Sequence, residues 1–171
     1  MIAITELINL LNKPALTKWA NKIGLEGINI EDYRKKSTSQ GTLNHKSIEN
    51  YLINNIKFEG HQKLDELLSG YSITGIEKNI NNGFICGRCD LLLEKNNKKI
   101  VVDFKANNSI YLNHKLQLSA YKEILNADSI AIINYKDWRF NIITIDTKKY
   151  YQIIKNLYVI KNHLNQLNEK L

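Results

Sequence analysis

The sequence holds one proline, two cysteines, one methionine and eight glycines in 171 residues. So little proline and glycine excludes collagen-like and linker-like chains. Two cysteines exclude a disulfide-stapled fold. Cys86 and Cys89 form a single C-x-x-C, half of what a zinc ribbon or an iron–sulfur cluster takes. No apolar run approaches the ~20 residues of a membrane-spanning helix. The opening Met1-Ile-Ala-Ile-Thr-Glu6 lacks the basic stretch, apolar segment and small-residue cleavage site of a secretory signal. These absences lead us to expect a soluble, cytoplasmic protein with no membrane partner. What is present is 43% hydrophobic residues, enough to build one core, so a single domain over 1–171 is expected. Lysine and arginine number 24 against 17 acids, a net charge of +7. A polyanion is a reasonable partner for such a surplus, although lysine on an Asn- and Ile-rich chain also follows from an AT-rich genome.

The first third reads as helices. Asn12 is placed to cap a helix with Pro14 in its first turn and Gly24 at its end. Asn29 caps a short basic piece over 31–36, and Ser37-Thr-Ser-Gln-Gly41 reads as a polar loop. Residues 1–40 thus form an N-terminal helical segment. Apolar residues at Leu43, Ile48, Tyr51, Leu52 and Ile56 outline a helix from Thr42, and a turn or two follows over 61–68.

From Tyr71 the pattern changes to strands over 71–80, 84–95 and 98–106, broken at Asn82-Gly83 and Asn96-Asn97, a meander. A helix over 111–126, strands over 130–135 and 140–145, and a helix from 148 onward follow. The order implies an α/β fold with a mixed sheet flanked by helices.

If Asn96-Asn97 is a two-residue turn, facing residues sum to 193, and Asp90 lies opposite Asp103. Like charges repel there, so a cation is expected between them. Lys105 shares the face of Asp103 by the period of two. Two carboxylates and a lysine at one point can hold a hard divalent cation and position a water; a buried ion-pair cluster is the plain alternative. Taking Asn82-Gly83 as the other turn, facing residues sum to 165, which sets Glu77 opposite Arg88, two residues from Asp90. Glu77 is then an extra acid or the salt-bridge partner of Arg88.

Gly87-Arg-Cys-Asp90 and Val101-Val-Asp-Phe-Lys105 together resemble the two halves of the PD-(D/E)XK nuclease motif. Gln117-Leu-Ser-Ala-Tyr121 resembles the Q-x-x-x-Y element of the RecB-like and phage-exonuclease branch, and Gly41-Thr-Leu-Asn-His45 its G-x-x-x-H. The resemblance implies a restriction-endonuclease-like core over 41–171 and a metal-dependent DNA nuclease, an exonuclease in phage or mobile-element recombination, replication or repair. A small structure-specific or restriction-like endonuclease and a catalytically silent nucleic-acid-binding module are the alternatives.

It implies Asp90, Asp103 and Lys105 as catalytic residues. The implied ligands of Mg²⁺ or Mn²⁺ are His45, Asp90, Asp103 and the carbonyl of Phe104. Gln117 and Tyr121 would reach a substrate phosphate of single- or double-stranded DNA. Glu49, one helical turn after His45, is either its orienting partner or a solvated acid. A chain this short has little room for a whole substrate tunnel, so a homo-oligomer or a recombination or replication partner is expected to supply processivity. His61, His114 and His163 show no ligand spacing and read as surface residues. Lys18, Lys22, Arg34, Lys35 and Lys36, with Trp19 and Tyr33 among them, are either a strand-gripping element or solvated helix faces.

Overall fold

The computed structural model describes residues 1–11, 14–106 and 109–168, arranged in two compact units. Met1–Leu10 and the chain from Gly60 onward form one, and Leu11–Glu59 the other. Among the described residues no helix is long and apolar enough to cross a membrane.

The Leu11–Glu59 unit is built from the helices α2 (Pro14–Leu25) and α3 (Ile30–Asn54). Pro14 stands at the first helical position, where its missing N–H is no loss. The expected cap Asn12 lies outside the described residues. Asn29 caps α3, its side-chain oxygen accepting from the N–H groups of Glu31 and Asp32. The expected loop at 37–41 is instead helix, so the anticipated boundary between 40 and 41 falls inside α3. The polar side chains find partners along the helix itself: Thr42 Oγ1 donates to the Thr38 carbonyl, Ser47 Oγ to that of Leu43, and Gln40 to Asn44. Trp19 meets Tyr33 edge-on with centroids 5.5 Å apart.

The larger unit holds β1 (Ile2–Ala3), α1 (Ile4–Ile8), α4 (His61–Leu68), β2 (Ser72–Asn81), β3 (Ile85–Lys95), β4 (Lys98–Lys105), α5 (Leu112–Leu125), β5 (Ser129–Asn134), β6 (Arg139–Ile143) and α6 (Thr147–Asn168). β2, β3 and β4 form the expected antiparallel meander, β4 and β5 run parallel across α5, and β6 returns antiparallel. The result is a mixed six-stranded sheet. Helices α1, α5 and α6 pack on one another, and α5 also lies against the sheet. Leu91, Leu93, Val101, Leu116, Leu118, Ile130, Ile133 and Ile154 are fully buried. Each such aliphatic side chain contributes about 1.5–3 kcal/mol.

Turn chemistry sets the register of both hairpins. Asn96 and Asn97 have φ of 52° and 60°, the double positive φ of a type I′ turn, and the register sums to 193 as expected. The other hairpin pairs Asn81 with Cys86 and Asn79 with Arg88, so facing residues sum to 167 and the expected Glu77–Arg88 pairing is shifted by two. The turn is centred one residue later, on Gly83-Phe84, because the Asn82 side chain accepts from the N–H groups of Phe84 and Ile85. Gly83 alone of the central pair has positive φ, 88°, the pattern of a turn with glycine first.

The two-residue strand β1 has no sequence signal, yet it shapes the sheet. Cys86 pairs with Asn81 of β2 on one side and Ala3 of β1 on the other. β1 therefore uses the same edge of β3 that β4 uses from Leu91 onward. Between these two partners, Gly87–Asp90 has β2 on one side and no ladder on the other among the described residues.

Candidate active site

The gap in the ladder sits at the two aspartates. Pairing of β3 with β4 holds as far as Leu91 and Val102, one step short of Asp90 and Asp103. Beyond it the strands part, and the Phe104 N–H donates to Asp90 Oδ2 at 2.9 Å instead of to a strand carbonyl. N–H and C=O of one strand residue point to the same side. The Phe104 carbonyl is thus turned toward the opened ladder, while the Lys105 carbonyl accepts from Tyr135 on the β5 side.

β4 is covered on both faces, which carries Asp103 into the core at 2% exposure. Lys105 Nζ lies 2.6 Å from Asp103 Oδ2. This oxygen forms an ion pair but no aligned hydrogen bond. Asp90 carries the electrostatic strain: burial first, and then the charge of Asp103, push its carboxyl well above the usual aspartate range. The Phe104 N–H and Lys105 oppose the rise, and Glu77 adds to it. A carboxylate oxygen of Glu77 lies within 4.8 Å of one of Asp90.

The donor set suits a hard cation. Two carboxylates, one with an oxygen buried and unaligned with any donor, stand beside a backbone carbonyl in a gap of the sheet. Mg²⁺ and Mn²⁺ take such oxygens. His45 and Glu49 belong to α3; Glu49 accepts from Lys46 Nζ at 2.8 Å, which is the partner the structure gives that acid.

Glu77 does bond Arg88, Oε2 to Nε at 2.6 Å, by a diagonal reach across the shifted register. Gln117 and Tyr121 are joined to each other, Gln117 Nε2 donating to the Tyr121 hydroxyl at 3.0 Å. Tyr121 is 3% exposed, and its hydroxyl also accepts the Arg88 N–H. The hydroxyl thus holds β3, and burial sets the ring against Gly87. A Cβ on Gly87 would lie 2.7 Å from Tyr121 Cε1. Burial, above all, pushes the phenol up to about 12.

His114 departs from its expected surface position. It is half-buried, its Nδ1 accepts from the Tyr111 N–H at 3.4 Å, and burial, then the charge of Lys105, lower its pKa. Its spacing from Gln117 and Tyr121, three and seven residues, is the signal that groups them on one helical face. His163 is exposed as expected, and His61 is half-buried at the start of α4. The β2–β3 register runs unbroken through Gly87, so Cys86 and Cys89 point to opposite faces and cannot share a metal. Burial pushes the Cys89 thiol up to about 12 and leaves it neutral.

No family model and no curated protein matches the chain. Among solved structures, the crystal structure of SSO0001 superposes with a TM-score of 0.44 and 17% identity, over 93% of this chain and 75% of that one.

Proposed function

We propose that the chain is a metal-dependent DNA nuclease of the PD-(D/E)XK type with a restriction-endonuclease-like core. The observation that carries this reading is the meeting of Asp90, Asp103 and Lys105 where β3 and β4 part. A fold gains nothing in stability from a buried acid facing another, since burying like charges is costly. A site that takes up a cation explains their retention.

Asp90, Asp103 and the Phe104 carbonyl would hold Mg²⁺ or Mn²⁺, and the G-x-x-x-H motif adds His45 as a ligand. The bound cation would lower the pKa of a water and offset charge on the scissile phosphate. Lys105, held beside Asp103, orients that water and stabilises the phosphate's developing charge. Its ion pair with Asp103 keeps the ammonium aimed at the centre. Gln117 and Tyr121 fix the Gly87–Asp90 segment, and thus the position of Asp90.

The Q-x-x-x-Y element favours exonuclease action on DNA, in the cytoplasm of a bacterial host, with a second copy or a recombination partner supplying processivity. Incubation of the protein with end-labelled linear DNA and with closed circular DNA, in Mg²⁺ or Mn²⁺, tests this. Degradation of linear DNA from its ends with circles untouched supports the exonuclease; nicking of circles would make it an endonuclease, and intact DNA of both kinds would reject the nuclease.

A further inference from the structure

Arg88 shares the face of Asp90 by the period of two, in the stretch of β3 that has no strand on its β4 side among the described residues. It is anchored twice. Its N–H is held by the Tyr121 hydroxyl, a contact that needs the bare backbone of Gly87, and its Nε is held by Glu77 at 2.6 Å. Glu77 stands at the β2 position facing Asp90, with a φ of 46° that a glutamate rarely adopts. The two ends of the ion pair differ in environment, 16% exposed at the Glu77 side chain and 65% at that of Arg88. A surface ion pair of two mobile side chains would show neither the strained backbone nor the sheltered acid.

We propose that Arg88 grips a nucleic-acid phosphate beside the Asp90–Asp103 centre, and that Glu77 is the residue that positions it. With Nε committed to Glu77, the two Nη groups are the part of the guanidinium left to meet a ligand, and their planar fork matches two oxygens of one phosphate. Holding Nε removes rotamer freedom in advance, so less is lost when the phosphate arrives. The location also calls for a cation: Glu77, Asp90 and Asp103 bring three carboxylates to one side of the sheet, against Lys105 and Arg88. A polyanion approaching these acids needs a fixed positive group at their rim. Glu77 serves Arg88 here through its Oε2.

The proposal rests on the nuclease reading, and two measurements keep their failures apart. The first is binding of a short labelled DNA in chelator across a salt series; the second is steady-state cleavage with Mn²⁺. The proteins are wild type, Arg88→Gln, Arg88→Lys, Glu77→Gln, the double variant Arg88→Gln/Glu77→Gln, and Lys148→Gln as a surface-cation control on α6. Arg88→Gln should raise KM about tenfold or more, with kcat little changed, since a phosphate grip acts on ground and transition states alike. It should also flatten the plot of log affinity against log salt by about 0.7 to 0.9, one phosphate contact. Arg88→Lys should recover the salt slope and only part of the KM. Glu77→Gln should raise KM severalfold in the wild-type background and add nothing to Arg88→Gln.

An Arg88→Gln protein with the KM and salt slope of Lys148→Gln would overturn the proposal. So would a Glu77→Gln effect that persists in full without Arg88, which would make Glu77 an independent group. A wild type that binds DNA with this Arg88 dependence and cleaves nothing would refute the nuclease and keep the grip; one that neither binds nor cleaves would refute both.

Discussion

Asp90→Asn separates a metal centre from a structural ion-pair cluster before any substrate is known. The asparagine oxygen can still accept the Phe104 N–H that Asp90 takes at 2.9 Å, so the substitution removes charge and spares the bond. Two unit charges 4.8 Å apart, the bound on Glu77 and Asp90, repel by about 0.9 kcal/mol in water and about 3.5 kcal/mol at an effective dielectric of 20. Arg88 offsets part of this through Glu77, and the attraction of Lys105 for Asp90 is lost with the charge. Relief of the burial cost, of the Asp103 charge and of this repulsion outweighs the lost pull of Lys105, so a gain on the order of 1 kcal/mol is expected, or about 2–4 °C in Tm for a chain of this size.

The gain depends on pH in a definite sense. Asp90 is raised in the folded state, by burial and then by Asp103, above its ordinary 3.8. Below that value both folded and unfolded chains hold the proton and the acid costs nothing. As pH rises through the window above 3.8, the unfolded chain releases its proton first, so the wild type loses stability while Asp90→Asn does not. In chelator the variant should therefore melt with the wild type near pH 4 and above it at pH 7. Mn²⁺ at a hundred times its dissociation constant should stabilise the wild type by about 2.7 kcal/mol and the variant far less. Thermal melts by circular dichroism, in chelator and in millimolar Mn²⁺, read both effects. A destabilised Asp90→Asn together with a wild type indifferent to Mn²⁺ would refute the reasoning, since an ion-pair cluster loses stability whenever one partner goes.

Lys105→Ala should abolish cleavage while DNA affinity, read by anisotropy, falls by no more than about one phosphate's share of the salt slope. Gly87→Ala, whose Cβ would meet Tyr121 Cε1 at 2.7 Å, should cost about 1–3 kcal/mol in urea melts, and pairing it with Tyr121→Ala should cost less than the two singly. His45→Ala should lose activity that excess Mn²⁺ partly restores, because Asp90 and Asp103 remain; an unchanged metal response would remove His45 from the ligand set.

The meander was legible because each of its cues is local: apolar runs, an asparagine pair that accepts positive φ, and a period of two. The register that brings Asp90 up to Asp103 followed from the Asn96-Asn97 turn alone. The other hairpin misled by one residue because Asn82 caps its own turn through its side chain, a contact that the dipeptide does not announce. β1 was invisible for a different reason. Two residues carry no periodicity, and their place is set by the free edge of a strand more than eighty positions away. The 37–41 stretch looks like a loop because serine, threonine and glycine favour turns; within α3, Gln40 donates to Asn44 and the Thr38 carbonyl accepts from Thr42 Oγ1. Of the site, Asp90, Asp103 and Lys105 were readable from spacing. His114 has no ligand spacing in the sequence, and its link is the helical face it shares with Gln117 and Tyr121.

The central claim is a nuclease centre built on Asp103, and cleavage of one end-labelled DNA duplex by wild type and Asp103→Asn tests it most directly. Wild type should release labelled nucleotide with Mg²⁺ or Mn²⁺ and stop on addition of chelator, while Asp103→Asn should bind the duplex and release nothing. Release by Asp103→Asn at the wild-type rate, or by wild type in chelator, would contradict the account.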